Sequence, residues 1–129
     1  MILLDTHVLI WAISEPKQLS KRAADAIRRA RQGDGLAISA ITLLELATLL
    51  VRGRLRAYGS VETSVRVLSE GVEVRPLTIE IAALAAQFPA DYPSDPADRI
   101  IGATAKAEGI PLVTRDQRLH RAELLETIW

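Results

Sequence analysis

The chain has 129 residues, no cysteine, and basic and acidic side chains in equal number, 16 of each. That length suits one domain over residues 1–129, long enough for a sheet covered by helices on both faces. The missing thiols exclude disulfides, cysteine nucleophiles and Cys-based zinc sites, and a net charge of zero supplies no general attraction for nucleic acid.

The opening stretch MILLDTHVLIWAI is an apolar run broken by one carboxylate. Ile2, Leu3 and Leu4 read as a short strand buried on both faces, and Val8, Leu9, Ile10, Trp11 and Ile13 as a helix packed back on it. Asp5 falls at the carboxyl end of that strand, the edge where open α/β sheets keep their ligands. Its charge there needs a cation or a set of donors, yet an Asp in this place also caps a helix starting near Thr6 or His7. The run lacks a basic leader and a cleavage site, and nothing reaches a membrane-spanning length. A cytoplasmic location without membrane contact is therefore expected.

Ser20 is placed to cap a helix whose face Leu19, Ala23, Ile27, Ala30 runs to Arg31, with Gly33 and Gly35 beyond it. Leu36–Ser39 reads as a strand. Thr42 then opens TLLELATLLVRG, so apolar around its circumference that deep burial is expected. Glu45 is its exception. Thr42-x-x-Glu45 has the form of a capping box, while the apolar crowding argues for a carboxylate kept for a site, and the two readings stay open. A helix is expected over Tyr58–Glu70 with Val61, Val65 and Leu68 inward, a strand over Val72–Arg75, and a helix capped by Thr78 with Ile81, Leu84, Ala85 and Phe88 inward.

The loop PADYPSDP holds three prolines and delivers the chain to DPADRIIGATAKAEG. Asp95 fits the N-cap there, Pro96 the first helical position and Asp98 the third. Asp98 heads the stripe Ile101, Gly102, Ala105 that faces the sheet and is the stronger candidate for chemistry. Asp95 is explained as a cap. Ile110–Thr114 reads as a strand with Arg115 and Asp116 at its carboxyl edge, where Asp116 either joins a site or caps the turn containing Leu119. LLETIW closes the chain as an edge strand or as a segment lying along the body.

Alternation of strands and helices implies a mostly parallel sheet, whose carboxyl edge collects strand ends and first turns. Asp5 and Asp116 occupy two strand ends, Glu45 and Asp98 two first turns. Four carboxylates meeting there would require a cation. With His7 and His120 as the only histidines, hard oxygen ligands suit Mg²⁺ or Mn²⁺ rather than zinc, and one or two such ions suit phosphoryl transfer. Arginines gather as Arg28, Arg29 and Arg31, as Arg52, Arg54 and Arg56, and as Arg115, Arg118 and Arg121. Such clusters can hold phosphates, the last two groups more so than the first, and Arg115, between Thr114 and Asp116, is above all the candidate to position an RNA backbone.

The strings LLDTHVLIWA, SAITLLELATLLVRGRL, DPADRIIGATAKAEG and PLVTRDQRL, in this order and spacing, resemble the PIN-domain ribonucleases, and within them the VapC-type toxins of bacterial toxin–antitoxin pairs. The resemblance covers essentially the whole chain. It implies a three-layer α/β fold with strand order 3-2-1-4-5, homodimers, and a VapB-type antitoxin encoded beside the toxin. It also implies a hydrolase that cuts RNA internally with Mg²⁺ or Mn²⁺, leaving 5′-phosphate and 3′-hydroxyl ends. Asp5, Glu45, Asp98 and Asp116 would be the metal-binding acids and Thr114 a supporting hydroxyl, whereas Arg99 serves the fold. A PIN-like protein that has lost catalysis and acts as a binding module is the competing expectation. A receiver-type domain is disfavoured by the single acid in LLDTH and the absence of one in LAISA, and a dinucleotide fold by Asp5-Thr6-His7 standing where a Gly-rich turn belongs.

Overall fold

The computed structural model describes residues 1–121 and 124–129; the side chain of Arg121 lies outside the described residues. Five strands, β1 (Ile2–Leu4), β2 (Leu36–Ser39), β3 (Glu73–Arg75), β4 (Leu112–Val113) and β5 (Thr127–Ile128), form one sheet in the order 3-2-1-4-5. Every pairing is parallel. Hence the carboxyl ends of β1 and β4, the central pair, open on the same edge.

Strand alternation divides the core. Ile2, Leu4, Leu36, Ile38 and Val113 point to one face, where α1 (Thr6–Ser14), α2 (Lys21–Gln32), α3 (Ala40–Val51) and α4 (Val61–Leu68) contribute Val8, Leu9, Ile27, Leu46, Leu50 and Leu68. Leu3, Ala37 and Leu112 point to the other, covered by Ile81 and Ala85 of α5 (Ile79–Ala86), Ile101 and Ala105 of α6 (Pro96–Glu108) and Leu119 of α7 (Gln117–Arg121). The result is the three-layer architecture expected from the resemblance.

Caps set most helix starts. Ser20, Thr78 and Asp95 accept backbone N–H bonds where expected. The fourth helix departs from expectation: it begins at Val61, because Ser60 caps it by accepting from Thr63, and Val61 points outward while Ser64 and Leu68 are buried. The strand expected over 110–114 is confined to Leu112–Val113. LLETIW does supply the edge strand β5, beside which His120 ties the chain together, its Nε2 2.7 Å from the Thr114 carbonyl and its Nδ1 2.7 Å from the Thr127 hydroxyl. Among the described residues no helix is long and apolar enough to cross a membrane.

Candidate active site

Asp5 leaves β1 with its N–H still donated to the Val113 carbonyl at 3.0 Å, which fixes the residue against β4. One carboxylate oxygen accepts from Thr6 N at 2.8 Å and caps α1, and the other accepts from the Thr114 hydroxyl at 2.7 Å. Capping and availability are thus compatible, since each oxygen keeps a further lone pair. Burial raises the Asp5 pKa, with these two donors opposing it. Neither donor is a full positive charge, so the demand for a cation stays unmet.

Glu45 corrects the capping-box reading. The helix does not open at Thr42: Ser39, the last residue of β2, caps it by accepting from Ile41 N at 3.2 Å, and the first helical residue is Ala40. Thr42 is fully buried inside the helix, its hydroxyl 2.9 Å from that of Thr6. Thr6 in turn donates to Glu45 Oε1. Glu45 therefore caps nothing. Its carboxylate meets the first residue of α1, the neighbour of Asp5, and burial together with the Asp5 charge raises its pKa.

Asp98 sits at the third position of α6, behind the Asp95 cap and Pro96. Burial, and then the charges of Asp5, Asp95, Asp116 and Glu45, push it up to about 7. The turn that carries it is supported from below. Tyr92 is buried and donates its hydroxyl to the Asp98 carbonyl at 3.3 Å, an approach only a glycine at position 102 permits, because a Cβ there would fall 2.0 Å from the Tyr92 oxygen. Arg99 turns away, donating to the carbonyls of Ala85, Phe88, Pro89 and Tyr92 and so fastening the proline loop to α6.

Asp116 follows β4 and is bound differently. Its N–H donates to the Thr114 hydroxyl at 3.1 Å, so Thr114 links Asp5 and Asp116 through one oxygen. Its carboxylate caps the short α7 by accepting from Arg118 N at 2.9 Å, and it pairs with the Arg118 guanidinium at 2.7 and 3.1 Å. That pairing lowers the Asp116 pKa. The same guanidinium reaches Asp98 at 3.8 Å. The sequence places Arg118 only within the Arg115, Arg118, Arg121 group; its pairing with the acids has no signal there beyond its place two residues after Asp116. Arg115, the arginine singled out instead, is exposed, lies 5.6 Å above the Trp11 ring and is 3.5 Å from Gln18.

Asp5, Glu45, Asp95, Asp98 and Asp116 line a single cleft of ≈ 550 Å³ at the carboxyl edge, shared with Arg115 and Arg118. An all-carboxylate donor set suits a hard divalent ion such as Mg²⁺ or Mn²⁺. Among the described residues no three of these acids stand close enough to ligate one ion as they lie. A guanidinium stands between two of them instead. The donor chemistry fits such an ion, while as the side chains lie the cation beside Asp98 and Asp116 is the Arg118 guanidinium.

The PIN domain model matches residues 2–125, and the chain belongs to the PIN-domain family. Its VapC character follows from 42% identity to Ribonuclease VapC22 of Mycobacterium tuberculosis over 130 residues, covering 99% of this chain and 98% of that one. VapBC2 from Rickettsia felis, crystallised bound to a DNA fragment from its promoter, is similar in fold, with TM-score 0.75, 18% identity, and 98% and 97% of the two chains covered. FitAcB from Neisseria gonorrhoeae matches with TM-score 0.64 and 28% identity over 98% and 96% of the chains.

Proposed function

We propose that the chain is the toxin of a toxin–antitoxin pair: a Mg²⁺- or Mn²⁺-dependent endoribonuclease that leaves 5′-phosphate and 3′-hydroxyl ends and is silenced by a cognate VapB-type antitoxin. One observation carries the reading. Carboxylates from four separate parts of the chain line one cleft, and burial together with their mutual repulsion pushes Asp98 up to about 7. The similarity to a protein called Ribonuclease VapC22, and to VapBC assemblies, supports RNA as substrate and VapB as partner. A cytoplasmic homodimer without membrane contact completes the proposal.

Asp5, Glu45, Asp98 and Asp116 would hold the metal. When bound, Mg²⁺ or Mn²⁺ lowers the pKa of the attacking water and offsets charge on the leaving oxygen. Asp5 is kept in orientation by Thr6 N and by Thr114, so its position does not depend on the ion. Asp98, pushed up to about 7, would have to be deprotonated to serve as a ligand. Arg118 would offer its planar fork to the RNA phosphate, with Arg115 along the backbone beside it. Water adds to phosphorus and gives up a proton to solvent, the P–O3′ bond breaks, and the 3′ oxygen takes a proton from solvent and leaves as a hydroxyl, with the phosphate kept on the 5′ end.

Incubating the full chain with RNA, with Mn²⁺ or with EDTA, and sequencing the 5′ ends tests this directly. Cleavage abolished by EDTA and by Asp98→Asn, with ends that ligate only through a 5′-phosphate, is the expected result. The competing reading, a catalytically inactive PIN-like binding module, draws support from Arg118 standing where a metal is needed. Equal RNA turnover by the parent and by Asp98→Asn, or none by either, would favour it.

A further inference from the structure

We propose that His7, Trp11 and Trp129 form a stacking platform for an unpaired RNA base beside the phosphate held at the acid cleft. The inference rests on the ribonuclease reading and adds a nucleobase subsite to it. His7 and Trp11 stand one turn apart on α1, two and six residues after Asp5, with ring centroids 5.9 Å apart. Trp129, at the chain's end, meets Trp11 at 6.0 Å with the rings tilted by 58°. His7, Trp11 and Arg115 line the same cleft as Asp5, Asp98 and Asp116.

Trp129 packs against the core and backs the platform, whereas two features separate His7 and Trp11 from ordinary core packing. Trp11 belongs to neither apolar cluster, although its neighbours Ile10 and Ala12 do. His7 is exposed and Trp11 only half-buried, and both line the cleft. The chain has only two tryptophans, and both meet at this rim. The chemistry also needs such a surface. A cleft walled by carboxylates repels a phosphate backbone, whereas stacking on an aromatic face is indifferent to that charge and tolerant of base identity. The Arg115 guanidinium, 5.6 Å from the Trp11 ring, adds a cation and a second planar surface at the junction of acids and rings. A single strand can present a base there; a duplex keeps its bases stacked within itself.

Because both tryptophans lie at the platform, fluorescence excited where tryptophan but not tyrosine absorbs reports on it alone. The probe is a short single-stranded RNA of mixed sequence, labelled at its 5′ end and added to the full-length Asp98→Asn chain, with binding followed in parallel by anisotropy of the label. Binding should quench the tryptophans, the matching duplex should not, and one abasic nucleotide moved along the strand should abolish quenching at a single position. Trp11→Ala should weaken binding of the intact strand about tenfold and leave binding of that abasic strand unchanged. RNA that binds by anisotropy and is cut by the parent chain, yet leaves fluorescence unchanged at every abasic position, would overturn the subsite while sparing the nuclease. Quenching by the antitoxin with none by RNA would assign the surface to the protein partner and overturn it too. An RNA that neither binds nor is cut would overturn the nuclease reading and the subsite with it.

Discussion

Asp5 and Asp116 end two adjacent parallel strands and share one threonine, yet the fold treats them in opposite ways. Asp5 is buried against uncharged donors and its pKa is raised, while Asp116 is closed on a guanidinium and its pKa is lowered. Asp98 and Glu45 side with Asp5: both are raised by burial and by neighbouring acids. The cleft thus has one acid closed tightly on its cation, Asp116 at 2.7 Å from Arg118, and three whose burial is compensated weakly or not at all, Asp98 standing 3.8 Å from the same guanidinium. Charge need, rather than proximity alone, tells a ligand from a salt-bridge partner.

Removing a charge from these three should have the largest effect. Asp98→Asn is expected to lower RNA cleavage at saturating Mn²⁺ by at least about a hundredfold, since it takes a ligand from the ion that stabilises the reacting oxygens. The metal-free variant should melt no lower than the parent, because a repelled carboxylate is gone. Single-turnover cleavage and thermal melting, measured on the same preparation, check both halves. Parental cleavage in Asp98→Asn would dissolve the contrast between Asp98 and Asp116.

Thr114→Val cuts the link between the two strand ends while leaving every carboxylate in place. Asp5 then loses one donor and Asp116 loses the acceptor for its N–H. Partners that orient ligands typically contribute about 10–100-fold to metal affinity, and a loss of that order is expected by Mn²⁺ calorimetry. An unchanged affinity would show that β1 and β4 alone hold the two acids.

Glu45→Gln tests a smaller term. Gln keeps an acceptor for the Thr6 hydroxyl, and no helix cap is at stake, so melting should stay within about 1 kcal/mol of the parent. Cleavage should still fall at least about tenfold, because a neutral amide neither offsets the ion nor binds it as tightly. Near-parental cleavage would leave Asp5, Asp98 and Asp116 as the working set.

How far these roles were legible in the amino-acid string differs residue by residue. Asp5 stands out because a charge interrupts an apolar strand-helix run, and Asp98 because Asp95-Pro96 fixes where α6 begins. Sheet order came with the family resemblance rather than from periodicity. Glu45 was obscured by a local ambiguity: in SAIT both Ser39 and Thr42 can cap, and the choice fell to Ser39 because β2 runs to that residue and Thr42 is taken up by Thr6. Val61 was misplaced for the same reason, a cap at Ser60 shifting the buried face to Ser64 and Leu68. Arg118 is legible only as one of the arginines gathered near this edge; its pairing with the acids and the meeting of Trp11 with Trp129 are not legible at all. The reach of a long side chain depends on how the α7 turn lies, and residues more than a hundred positions apart meet only through the sheet.

Arg118→Ala addresses the built-in cation and should give the smallest change. Without the guanidinium, Asp98 and Asp116 lose their nearest positive charge, and an incoming ion no longer has to displace it. A few-fold tighter Mn²⁺ affinity is expected at a pH where the acids are ionised. The pH dependence supplies the check. Asp98 is raised from 3.8 to about 7 in the fold, so over that window the native metal-free chain binds more protons than the unfolded one. Its contribution to stability is therefore fully present at the acid end and lost as pH rises through about 7. Mn²⁺ affinity runs the other way, rising through the same window as the ion displaces that proton. In Arg118→Ala the rise should move to higher pH, since Asp98 ionises with less help, and end on a higher plateau. A lower plateau would mean that Arg118 supports the metal-loaded arrangement instead of competing with it, and Asp116 and the three other acids would then act as one.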